Sequence, residues 1–343
     1  MRQNNLLKVL TIVIVLLLCV TSCQFDINLF PEQVRTTSTE PQKPDEIKYS
    51  KGLEYKLLDD GTGYQVTGKG TCRDLELVIP REYQGLPVVS IGNRAFEEQS
   101  MFSVAIPDTV VEICDLAFSS ASIRGTLNIP GSVKTIGNNA FANCKSIKKL
   151  VLEDGVETIS HSAFFNCERI EVISISKSVK TIYSDSFSNN LSLLSIEVDD
   201  ENPYFKDIDG NLYSKDGKQL IHYAHGKESK NFVVPDGVVE IGEYAFEGNI
   251  YLLSVELPDT VETIGYRAFF GVRHISELTL PLSLKNIGAE AFGSSIDILY
   301  YKGTMMEWVN VIKEYQWNGM MKSYRLDAID GYYDYPDGFV IWK

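Results

Sequence analysis

Positive charge is scarce in this chain: 32 Lys and Arg stand against 46 Asp and Glu, for a formal charge of −14. Nucleic acids and anionic membrane surfaces are held by basic patches, so this balance argues against both as ligands. The excess acid is otherwise a source of solubility and self-repulsion. Histidine is scarcer still, and His161, His222, His225 and His274 follow no metal-ligand spacing. A Gly-x-Ser-x-Gly elbow and a phosphate-binding glycine loop are missing. Nothing selects two of the many carboxylates as a hydrolytic pair. No catalytic residue, no metal and no cofactor is therefore expected. Tryptophan is missing before residue 308, and the longest apolar run, Leu10 to Leu18, is too short to favour a stable membrane span.

What the sequence has is a repeat. Val133-Lys-Thr-Ile136-Gly137-Asn-Asn-Ala140-Phe141 returns in degenerate form seven more times, and the phenylalanines fall at 96, 118, 141, 164, 187, 246, 269 and 292. Their spacings are 22, 23, 23, 23, 59, 23 and 23 residues. A fixed period in that range marks a solenoid, whose units cannot bury their apolar side alone and must stack. The 343 residues then form one array rather than two compact domains.

Before the array, residues 1–22 read as an export signal: Arg2 and Lys8 are its basic start, and Val20-Thr21-Ser22-Cys23 closes it. That tetrapeptide resembles the lipobox of bacterial lipoproteins, which implies that Cys23 is the first mature residue and carries lipid. The alternative is an ordinary secretory signal with a chance Cys at its end. Residues 23–50 are polar and carry Pro31, Pro41 and Pro44, a composition suited to a flexible tether. Residues 51–87 read as an N-terminal β cap.

Repeats then occupy 88–198 and 232–295. In each, a segment such as Leu252-Leu-Ser-Val-Glu-Leu257-Pro258 alternates as a short strand ended by Pro. From Ile264 the apolar positions Ala268, Phe269 and Val272 follow a period near 3.6, which predicts a short helix on the far side. Three residues after Phe, a column of Cys144, Cys167, Asn190 and Asn249 is expected to satisfy backbone groups at an inner corner. Cys144 and Cys167 are expected to stay thiols, since stacked inward side chains run parallel rather than converge.

Residues 199–231 break the period. Two Asp-Gly pairs, Asp209-Gly210 and Asp216-Gly217, separate strand-like runs, so a hairpin or three-stranded meander projecting from the solenoid edge is expected. Its acidic residues do not match a calcium loop, because Gly stands at the fourth place and no Glu at the twelfth. Residues 296–343 hold Trp308, Trp317 and Trp342 with seven tyrosines. They read as an aromatic C-terminal cap or, alternatively, as a platform for stacking sugars or a protein partner.

The unit x-x-Leu-x-Leu-Pro-x-x-Val-x-x-Ile-Gly-x-x-Ala-Phe-x-x-Cys, nearly whole in Leu127 to Cys144, resembles the BspA-like leucine-rich repeats of bacterial surface proteins. The Asp-Gly insert and the Tyr300-Tyr301-Lys-Gly303-Thr304…Trp308 ending resemble that family too, whereas Cys114 and Tyr183 depart from its Gly column. The resemblance covers about residues 60–310. It implies an α/β leucine-rich-repeat solenoid of strand plus short helix, with a β-hairpin insert and terminal caps. It also implies a general role in adhesion or recognition, and the lipobox resemblance implies a protein exported and lipid-anchored at the bacterial cell surface or outer membrane. The outward strand positions are small and polar, with Lys149, Glu197, Glu256 and Glu277 as the candidate binding residues for an extracellular protein or peptide. The alternative partner is a glycan held by Trp308 and Trp317. The membrane is expected to be touched only through the lipid.

Overall fold

The structure, a computed structural model, describes residues 48–293, 295–319, 321, 323–335 and 339–343. Cys23, the signal segment and most of the tether lie outside the described residues.

Each coil contributes two short parallel strands to two different sheets. In the first half, Arg124–Ile129, Ser146–Leu152, Val172–Ile175 and Ser195–Val198 form one sheet, and Glu112–Ile113, Thr135–Ile136, Thr158–Ile159 and Thr181–Ile182 continue another. The register is strict: Leu127, Leu150, Ile173 and Ile196 align in one buried row, and Asn128, Val151, Ser174 and Glu197 align in one outward row. Alternation along a strand puts neighbouring residues on opposite faces, so a 23-residue period keeps every inward column apolar. Val133, Ile136, Ala140 and Phe141 and their equivalents fill the interior.

The expected far-side helix is absent, and the fold is correspondingly β rather than α/β. The third side of each coil is a run of turns. Ala95, Glu97 and Gln99 donate backbone N–H bonds back to Gly92, Arg94 and Phe96 of their own coil, while Arg94, Phe96 and Glu98 donate to Asp115, Ala117 and Ser119 of the next. Local and inter-coil bonds thus alternate. The alternation needs left-handed backbone at regular places, and Asn139, Asn143, Asn166 and Asn189 adopt φ of 54, 59, 56 and 61°. A right-handed helix cannot contain such residues. Spacing gives the deeper reason. A helix is ~10 Å across and coils stack at the ~4.8 Å of neighbouring strands, so a helical side would splay apart. Turns instead let the Phe rings stack with centroids 5.0 Å apart for Phe96–Phe118 and for Phe118–Phe141, and 4.9 Å for Phe246–Phe269. Among the described residues the one α-helix is Met305–Asn310, closed at its start by a Thr304/Glu307 capping box.

The insert is built into the stack and does not project from it. Phe205–Ile208, Asn211–Ser214 and Gln219–His222 form an antiparallel meander, and Gln219–His222 then pairs in parallel with Glu240–Ile241 to start the second stack. Asp209 and Gly210, with φ of 49 and 69°, make the tight turn that an Asp-Gly pair favours. Both faces of the meander are covered. Phe205, Leu212 and Ala224 pack into the core of the first stack, while Tyr213, Leu220 and Tyr223 pack into that of the second. The insert is a septum with a hydrophobic core on either side.

Candidate binding surface

The inner corner column holds the backbone in place. Cys144 and Cys167 are free thiols, fully buried, and donate to the carbonyls of Phe118 and Phe141 at 3.1 Å each. Where Asn takes the position, its carbonyl oxygen accepts instead: Asn190 from Cys167 N–H at 2.8 Å, and Asn249 from Tyr251 and Leu252 N–H at 3.0 and 2.8 Å. Burial pushes the Cys144 thiol up to about 12 and that of Cys167 well above its ordinary value. Neither can act as a nucleophile.

The four candidate residues Lys149, Glu197, Glu256 and Glu277 are all exposed, at outward positions on strands. The structure does not gather them into one pocket. Lys149 and Glu197 share the first sheet, in different rows: Lys149 aligns with Val172 and Ser195, and Glu197 with Ser174 and Val151. Glu256 lies on the two-stranded sheet with Asn231–Val233, and Glu277 on the sheet that Ile298–Tyr301 continues. Glu197 is the best placed of the four. Its carboxylate accepts from Ser174 Oγ at 3.1 Å, and it borders a recess of about 330 Å³ lined also by Leu152, Ile175, Ser176 and Asp199.

The two tryptophans of the alternative site are used internally. Trp308 is 7% exposed, packs on Tyr301 at 5.3 Å and on Trp317 at 5.8 Å, and carries the Lys313 ammonium over its ring at 4.2 Å. Trp317 meets Phe292, the last of the Phe ladder, edge-on at 5.8 Å. Their rings close the end of the second core, and Trp308 offers no open face for a sugar.

Sequence reasoning missed the interior of the septum. His222 and His225 are buried with ring centroids 5.0 Å apart, and His222 lies 6.3 Å from the Phe187 ring. Burial pushes His225 down to about 4, against a weaker upward pull from the Ala245 backbone. It holds His222 well below its usual value, with His225 adding to the depression. The signal was available: both histidines sit in a segment alternating with Leu220, Ile221, Tyr223 and Ala224, which reads as buried strand once the insert is placed inside the stack.

Coils of one register, two strands each, an internal aromatic ladder and an Asn/Cys corner define a leucine-rich-repeat solenoid. Such a solenoid offers an extended surface for binding rather than a closed pocket. The model of the BspA-type leucine-rich repeat region matches in six copies over residues 89–215 and 222–321, and the chain belongs to that family. Two solved structures share the fold. The pneumococcal vaccine antigen PcpA is 24% identical, with TM-score 0.59, over 76% of this chain and 82% of that one. A leucine-rich repeat protein from Eubacterium ventriosum is 21% identical, also at 0.59, over 74% and 71%. No curated relative matches the chain.

Proposed function

We propose that this protein is a lipid-anchored recognition or adhesion protein that binds an extracellular protein or peptide along the outward face of its strands. Cys23 carries the anchor and the residues up to about 50 space the solenoid from the membrane. The observation that carries the reading is the outward face of the Arg124–Ile129 to Ser195–Val198 sheet, where small polar residues (Thr126, Asn128, Ser174 and Ser195) are interspersed in register with Lys149, Val151, Val172 and Glu197, and the recess beside Glu197 lies at its end. Apart from Arg124, whose guanidinium stacks on Phe102 at 3.9 Å where this sheet begins, the face lacks the clustered aromatic and Arg anchors that dominate tight interfaces, so each contact is weak and many copies on one surface supply the avidity.

The test is a binding array of extracellular-matrix proteins, bacterial surface proteins and polysaccharides, probed with the wild-type chain and with the E197Q/E256Q/E277Q variant. A protein ligand is expected to bind in a salt-sensitive way, and the triple variant to lose five-fold or more of its affinity. Equal binding by both chains moves the site off this face.

A further inference from the structure

The strand ladder has one interruption in its interior. Glu112–Ile113, Thr135–Ile136, Thr158–Ile159 and Thr181–Ile182 pair in sequence, and Gln219–His222, Glu240–Ile241, Thr263–Ile264 and Asn286–Ile287 resume the same pattern. Thr181–Ile182 and Gln219–His222 do not pair with each other. The consequence is an open strand edge. Thr181 and Tyr183 donate their N–H groups backward, to Glu157 and Ile159. In the regular array the forward-facing groups of a coil bond to the next one, as the carbonyls of Glu157 and Ile159 show. The equivalent groups here are the carbonyls of Lys180 and Ile182 and the N–H of Ile182, and none has a partner among the described residues. Three backbone groups, two acceptors flanking a donor, present the half of a parallel ladder that an added strand completes.

The space for that strand exists. A cleft of about 440 Å³ lies between Thr181–Ser184 and the second stack, lined also by Phe205, Gln219, Ile221, Glu240, Gly242 and Glu243. Phe205, Ile182 and Ile221 supply apolar surface. The charged side chains that line it are both glutamates. Glu240 accepts from Gln219 Nε2 at 2.7 Å and Glu243 from Ser184 Oγ at 2.9 Å, so each is held in place with acceptor capacity to spare. Lys180, Lys206 and Lys218 each flank a lining residue in sequence but do not themselves line the cleft, and Lys180 is engaged by Glu157 at 2.7 Å. The other sheet shows that an open end is not a general property of this boundary. There, Ile196 N–H donates to Gly210 O and Val198 N–H to Asp207 Oδ1 at 2.9 Å each, so the hairpin covers that edge.

We propose that this cleft is a strand-addition site, where an extended peptide segment of a partner protein, bearing lysine or arginine, pairs with Thr181–Ile182 and places its cationic side chains against Glu240 and Glu243. Backbone hydrogen bonds supply affinity and alternate side chains supply selectivity, as in other cases of strand addition to a sheet edge. The site is separate from the outward face proposed above, and either can fail alone.

The test screens a library of nonapeptides with lysine or arginine fixed at alternate positions against the full chain, by fluorescence anisotropy. Peptides that bind are expected. The E240Q/E243Q variant, with an unchanged melting temperature, should lose ten-fold or more of their affinity, whereas E197Q/E256Q/E277Q should retain it. N-methylation of the alternate amides that face Lys180 and Ile182 should abolish binding, and methylation of the other set should leave it intact. Failure of the whole library, equal tolerance of both methylated sets, or preference for acidic peptides overturns the proposal.

Discussion

At the scale of single residues, the fold rests on columns. Each Phe of the ladder is buried, and those inside it are sandwiched between the rings of neighbouring coils, as Phe141 is between Phe118 at 5.0 Å and Phe164 at 5.3 Å. Truncation to alanine removes a large apolar side chain and leaves a cavity in a column that cannot collapse without shortening the stack. Phe141→Ala is expected to cost about 3–5 kcal/mol, read by urea unfolding, and a loss under 1 kcal/mol would contradict the ladder's role. These columns were legible in the sequence because inward positions repeat chemically: Val133, Ile136, Ala140, Phe141 and Cys144 each have counterparts one period away. The outward residues carry no such constraint. Glu197, Glu256 and Glu277 could be placed on strands from the sequence, but their separation onto three sheets could not.

At the scale of elements, two readings changed for physical reasons. The Ala268-Phe269-Val272 spacing fits a helix, yet coil spacing of about 5 Å at the Phe column leaves no room for one. Asn at 139, 143, 166 and 189 was the contrary signal, since Asn tolerates left-handed backbone far better than most residues. Two Asp-Gly turns between strand-like runs that break the period predict a projecting hairpin. Only the alternation of Leu212, Tyr213, Leu220 and Tyr223 between two cores reveals a septum. That septum should make the protein acid-sensitive. His222 and His225 are held neutral by burial, with His225 near 4 in the fold against about 6.5 unfolded. The unfolded chain therefore takes up protons first as pH falls. Stability is full above about 6.5 and declines through the window from there to about 4, by about 3 kcal/mol for a single such group. The melting temperature should fall across that window, and His222→Phe with His225→Leu should flatten the profile. An equally steep fall in the double variant would place the acid sensitivity elsewhere.

At the scale of the whole molecule, two stacks share one septum and close on an aromatic cap, and within each stack backbone hydrogen bonds join successive coils along the turns and along the inner strand ladder, which breaks at Thr181–Ile182. The family could be read from periodicity, since the motif keeps register over most of the chain. The binding surfaces could not, because a broken ladder at Thr181–Ile182 exists only once coils are stacked. What makes the solenoid a rigid scaffold for an extended ligand is that its turn side is bonded as continuously as its strands. Amide hydrogen exchange across the full chain tests this most directly. The N–H groups of Phe96, Phe118, Phe141 and Phe164, which donate between coils on the turn side, should be protected as strongly as those of Leu150 and Ile173 in the strands, and Leu212 and Leu220 in the septum likewise. Rapid exchange at the Phe amides beside protected strands would contradict the account, leaving strands alone to hold the coils together.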